Sequence, residues 1–197
     1  AFTASLVSLD VQITAAGAKN DVGSTVRAGI ENSRVESTNE FVEVLSHSTS
    51  TIDVTASAAT LAVTFAPAGF GTSLAGAFAC NITDSTIEAY VRSGSNVTGH
   101  ETLAVDEGVN VEAIDNSLVF SDVFGGSFGG GVGSSVAAGI SGSDNVIGNQ
   151  VSASAEGSTL TAVTGDIAVR AHATQSILAD ADAAGVNLGF GLDLAIS

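Results

Sequence analysis

Tryptophan and methionine are absent from these 197 residues, and proline, tyrosine and cysteine occur once each, as Pro67, Tyr90 and Cys80. A single cysteine rules out an intrachain disulfide, so Cys80 reads as a small buried apolar side chain, with an intermolecular bond or a modification as the alternative. Nine phenylalanines are left to supply most of the large apolar volume, among 23 glycines and many Ala, Ser, Thr and Val. A core built from such residues is thin, with backbones packed closely. Positive charge is scarce too: Lys19, Arg27, Arg34, Arg92 and Arg170 stand against 21 Asp and Glu, for a net charge of −16. That balance repels phosphate backbones and excludes nucleic acid as a partner. It keeps an apolar body in solution at the cost of self-repulsion. The chain is too apolar to be a disordered acidic tail.

Charge of either sign is missing from two long stretches, Val54–Thr83 (30 residues) and Val123–Ser143 (21 residues). Both would be long enough for a transmembrane helix. However, Phe124-Gly125-Gly126-Ser127-Phe128-Gly129-Gly130-Gly131 is a very poor helix former. A chain with Tyr90 alone and no Trp also lacks the aromatic girdles of a membrane β-barrel. No membrane span is expected. The stretches read instead as strands covered on both faces, where alternation fades.

What the sequence does contain is repetition. Segments opening at Thr25, Thr86 and Gln150 carry the anchors Val26, Ile87 and Val151, which lie 61 and 64 residues apart. From Val26 the apolar series runs Val35, Val42, Val44 and Ile52; from Val151 it runs Leu160, Ile167, Val169 and Ile177 at the same offsets. The second copy reads Val97, Leu103, Val105 and Val111. Period-two alternation within each series means strands with one wet and one buried face. Turn residues punctuate them at Glu31-Asn32-Ser33, Ser93-Gly94-Ser95-Asn96, Glu156-Gly157-Ser158 and Thr164-Gly165-Asp166. Strands of about five or six residues are expected. The fold class is therefore all-β, a single domain over 1–197. It is either a β-solenoid-like stack or a strand-exchanged β-sandwich of three repeats, roughly 20–80, 81–143 and 144–197. The N-terminal segment 1–19, of this chain or a neighbouring subunit, is expected to complete the last repeat.

Asp144-Asn145-Val146-Ile147-Gly148-Asn149-Gln150-Val151-Ser152-Ala153, then Gly157-Ser158-Thr159-Leu160-Thr161-Ala162, then Gly165-Asp166-Ile167-Ala168-Val169-Arg170-Ala171, resembles the repeats of very large secreted bacterial and archaeal surface proteins. Those repeats are similar to haemagglutinin-like β-helices. The second copy shares Ile82, Ile87, Ala89, Val97 and Val105, and the first departs at Gly29, Phe41 and Leu45. The resemblance implies an extracellular or cell-surface structural or adhesive role and transfers no catalytic residue. The chain opens on Ala1 without Met, which reads as processing and export.

Chemistry is sparse. Gly125-Gly126-Ser127-Phe128-Gly129 matches G-x-S-x-G, but glycine flanks and no following helix argue against a nucleophile elbow. His47 and His172 stand at equivalent offsets with Gly108 between them in the second copy, and read as surface residues. Asp21, Asp84 and Asp144 recur beside Asn20, Asn81 and Asn145. They suit Asx turns better than a Ca²⁺ site, so no cofactor is expected beyond weak Ca²⁺ binding. The acidic set Asp106, Glu107, Glu112 and Asp115 reads as a solvated face. Asn81-Ile82-Thr83 and Asn96-Val97-Thr98 match the N-glycosylation pattern, at Asn81 and Asn96. No catalytic or metal residue is assigned, and the chain is not read as an enzyme.

The expected function is that of a self-assembling extracellular structural protein, a subunit of a filament, sheath or surface layer. Contacts would run through the uncharged strands at Phe65, Phe70, Leu74, Phe78, Phe124, Phe128, Val132, Val136, Phe190, Leu192, Leu194 and Ile196. The partner would be a copy of the chain, paired tail to head into a homopolymer. The alternative is an adhesin-type binding module, cation-dependent or not, that does not polymerise.

Overall fold

The computed structural model describes residues 2–3, 7–101, 106–190 and 193–197. Twelve strands follow in order: β1 Phe2–Thr3, β2 Leu9–Val22, β3 Thr25–Glu31, β4 Arg34–Glu36, β5 Val42–Thr83, β6 Thr86–Arg92, β7 Asn96–Gly99, β8 Glu107–Ile147, β9 Gln150–Glu156, β10 Thr159–Ala162, β11 Asp166–Phe190 and β12 Asp193–Ile196. Every pairing among them is parallel, and they form three sheets. The protein is a β-solenoid built from the repeats anticipated in the sequence. Val26 pairs with Ile87 and Ile87 with Val151, so the anchors stack in one column.

Each turn of the solenoid, here called a rung, is a long flattened loop. A front strand runs 42–65 in rung 1, 109–132 in rung 2 and 167–190 in rung 3. The chain then bends at a tip and returns as a back strand, 70–83 after rung 1 and 134–147 after rung 2. β2 is the back strand that precedes rung 1, stacked on 70–83. Two short side strands close each loop: β3 and β4, β6 and β7, β9 and β10.

Front and back layers face each other across a core of small residues. Ile52, Val54, Ala56 and Ala58 meet Ala75, Ala77 and Ala79, and the Ser121 and Ser143 hydroxyls lie 2.8 Å apart. A Cβ on Gly125 would strike the carbonyl of Ile140, and one on Gly139 the carbonyls of Gly125 and Ala184. The layers thus approach until only glycine fits, which is what the missing Trp and Met had implied. At the other end the side strands pack Ile87, Ala89, Val91 and Val97 against Val42, Val44, Val109 and Val111, a second apolar cluster built of larger side chains. Inward polar groups stack on their own kind. Asn20 donates to Asn81 at 2.9 Å and Asn81 to Asn145 at 2.7 Å. The backbone N–H of Ser33 donates to the Ser95 hydroxyl, and that of Ser95 to Ser158.

Several expectations are corrected. The strands are far longer than five or six residues: β5 has 42, β8 has 41 and β11 has 25. Stacking on rung neighbours satisfies their backbones along the whole run, so no turn is needed to end them. The uncharged strands are covered on the inner face only. In the second copy Val109 and Val111, not residues 103 and 105, pair with Val42 and Val44. Leu103 and Val105 themselves lie outside the described residues. The N-terminal strand β2 stacks on 70–83, at the opposite end of the solenoid from β11, so within one chain it does not complete the last repeat. Asp115 is not on a solvated face. It is fully buried, accepting hydrogen bonds from Ser117 (2.9 Å), Asn149 (2.9 Å) and Gln175 (3.0 Å).

Candidate functional site: an uncharged apolar tip

Alternation assigns odd-numbered front residues of rung 1 and even-numbered ones of rungs 2 and 3 to the outside. Register then stacks them into columns. At the tip the front face presents Leu61–Phe128–Val186 and Phe65–Val132–Phe190. The back face presents Val11–Thr72–Val136–Leu194 and Ile13–Leu74–Ala138–Ile196, with Phe70 and Phe78 beside them. From Phe124 to the bend and back to Gly142, no outward position of rung 2 carries a charge.

Phe65 is 54% exposed, Phe78 54% and Phe190 88%; Phe70, Phe124, Val132, Leu194 and Ile196 are exposed as well. Leu74, Phe128 and Val136 are half-buried. Leu192 lies outside the described residues. Eleven of the twelve residues expected to make contacts are therefore described, and all of them point outward at or near one end of the blade. Sequence reading missed Leu9, Ile13, Leu61, Ile140 and Leu188, which share those faces and are exposed. Their parity in the alternation was the available signal.

Outward glycines seat the rings. A Cβ at Gly126 would lie 2.7 Å from the Phe124 ring, one at Gly142 3.1 Å from Phe78, and one at Gly29 would overlap Tyr90. Phe124, Phe78 and Tyr90 thus lie over neighbouring glycines, while Phe65 and Phe190 project into solvent. Charge gathers at the side-strand end. Arg27 pairs with Glu88 at 3.0 Å, Arg92 with Glu31 at 3.2 Å, and Arg170 with Glu107 at 2.7 Å. The Arg92 guanidinium, stacked 4.1 Å from the Tyr90 ring centroid, holds the Glu31 carboxyl below the usual carboxylate range, first through their hydrogen bond and then through charge.

Other sequence candidates do not converge. Ser127 is buried in mid-strand between Thr60 and Gly185, with no turn into a helix. His47 and His172 share an outward column with Ile114, not Gly108, between them. Asp21 stacks on Ile82 and Asp144 on Cys80, while Asp84 lies between β5 and β6, so the three aspartates are not equivalent. No group of three metal-ligating side chains occurs among the described residues. Cys80 is half-exposed on the back face rather than buried. Asn81 is corrected as a glycan site: its side chain is fully buried and its amide nitrogen is committed to Asn145. Asn96 is exposed. No described helix is long and apolar enough to cross a membrane.

No protein-family model matches the chain, and neither a curated protein nor a solved structure matches it.

Proposed function

We propose that the protein is an extracellular structural subunit that assembles with copies of itself into a filament, sheath or surface layer through the faces of its tip. One observation carries this reading: outward phenylalanines and aliphatics form uncharged columns on both faces of one end of the blade, left open to solvent. Contiguous apolar patches on a soluble body mark contact surfaces. The glycine-seated rings of Phe124 and Phe78 leave room for another sheet at the usual spacing of about 10 Å, and the projecting Phe65 and Phe190 supply rings for it to cover. The acidic side-strand end supplies the repulsion that keeps such assemblies dispersed. The extracellular setting rests on the repeat resemblance.

The test is Phe65→Asp combined with Phe78→Asp, one on each face, examined by negative-stain electron microscopy and sedimentation. Covering a phenyl ring stabilises a contact by about 1.5–3 kcal/mol. The double variant should therefore lose sedimentable polymer while keeping its β circular dichroism signal. Polymer at the level of the unaltered chain would refute the tip contact. A wild-type monomer with saturable affinity for a surface would favour the adhesin reading instead.

A further inference from the structure

We infer that the back face of the blade packs on the back face of a second copy, about a two-fold axis that runs along strand 70–83. This rests on the self-assembly reading and deepens it, naming the partner of one face and fixing the register.

On the back face strand 70–83 lies between β2 and strand 134–147. From the bend to the column Gly17–Phe78–Gly142, no outward position of these three strands carries a charge. The next column is Lys19–Cys80–Asp144, where a cation and an acid flank Cys80 on opposite sides.

Two sheets packed face to face keep their strand directions within about 30° of each other. A two-fold axis in the contact plane then runs either along the strands or across them. Along the strands, 70–83 faces itself and β2 faces the partner's 134–147. Lys19 of each copy then meets the partner's Asp144, so two ion pairs flank the facing Cys80 residues. Across the strands, each strand faces its own counterpart. Asp144 then meets only 134–147, whose outward positions include no cation. Charge selects the first arrangement.

Side-chain size agrees with it. In that register Leu9 faces Ser134, Ile13 faces Ala138 and Ala15 faces Ile140, a larger side chain against a smaller one each time. The Phe78 ring leans to one side only. A Cβ on Gly142 would lie 3.1 Å from the ring, whereas one on Gly17 would meet only the Phe78 carbonyl, at 3.9 Å. The surface over Gly17 is therefore bare, part of an open groove of about 560 Å³ edged by Lys19, Phe78 and Asp144. The partner's ring lies over the partner's Gly142, which is the residue that faces Gly17. Each ring thus enters the other copy's groove, and the two Phe78 side chains pass without collision. Three strands over the length 70–82 cover roughly 600 Å² per copy. The pair then buries about 1,200 Å², the lower end of the range for specific interfaces. One column opposes the pairing: Asp21, exposed, falls on Val146 at the corner that leads to the side strands.

Cross-linking through Cys80, the only thiol of the chain, tests this. Across the contact the two backbones lie about 10 Å apart, beyond direct disulfide reach and within that of a short bis-maleimide. The unaltered chain should give a covalent dimer with that reagent. Lys19 and Asp144 are both exposed, so their substitution spares the core. Lys19→Asp or Asp144→Lys alone sets like charges face to face and should cut the yield several-fold. Mixing the two variants restores opposite charges across the contact and should return the yield to that of the unaltered chain. Asp180→Lys makes the same change of charge on the front face and should leave the yield as it was. The inference is overturned by an unaltered chain that gives no dimer, or by single variants that cross-link as well as it does. A mixture no better than either variant, or an Asp180→Lys chain that falls as far as Asp144→Lys, overturns it too. The tip reading is judged separately, by sedimentable polymer. Polymer in a chain that gives no cross-link overturns the back-face pair and leaves the tip reading standing. Cross-linked dimers without polymer support the pair and overturn the filament, sheath or layer.

Discussion

Glycine in this protein is mostly a matter of space. Gly139 faces the Gly125 and Ala184 carbonyls across the core, and those are backbone atoms that cannot swing aside. Gly139→Ala should cost about 1–3 kcal/mol as overpacking, and thermal unfolding should show a fall in Tm of several degrees. Gly131 combines a φ of 134° with a Cβ direction pointing at the Thr64 carbonyl, so conformation and contact both demand glycine there. At the surface, Glu31 is governed by Arg92. Its carboxyl is held charged below the usual range, so the interaction is present above the ordinary carboxylate pKa and is lost as pH falls through the lowered value. In Arg92→Gln the Glu31 titration, followed by NMR, should return upward to the ordinary range. An unchanged titration would mean that Arg92 is not the cause.

At the scale of elements, the length of the strands follows from parallel in-register stacking. Alternation, anchors and turns were all legible in the sequence: Asn32 and Ser93 have positive φ, as do Gly94, Gly157 and Gly165, at the turns read there. Strand length was not legible, because an uncharged run such as Val123–Ser143 carries no marker of where its backbone finds partners. Nor was Asp115. A carboxylate among other acids reads as solvated, and only the return of Asn149 and the stacking of Gln175 place donors around it. Asp115→Ala removes the acceptor shared by Ser117, Asn149 and Gln175, while Asn149 keeps its bond to Ser117 and Ser117 its contact with Ser50. At ~1 kcal/mol for each hydrogen bond lost, the variant should unfold at a clearly lower denaturant concentration. A change within error would show that the network contributes nothing net.

For the molecule as a whole, segregation decides the behaviour. Outward charge is densest at the side strands and thins through Asp53, Asp122, Asp180 and Asp182 in mid-blade, while outward phenyl groups lie toward the tip. A net charge of −16 then opposes association over a range set by salt, while the apolar faces favour it at contact. The residues that make the tip were legible individually as alternating positions in uncharged strands. Their gathering on one end of a blade was not, since it depends on where the chain bends. Sequence alone determined the all-β class, the three repeats and the thinness of the core, because periodicity and side-chain volume are local properties. The tertiary structure decided which face each strand buries and the enclosure of Asp115 and Asn81. These depend on which residues distant in sequence become neighbours when one rung settles on the next.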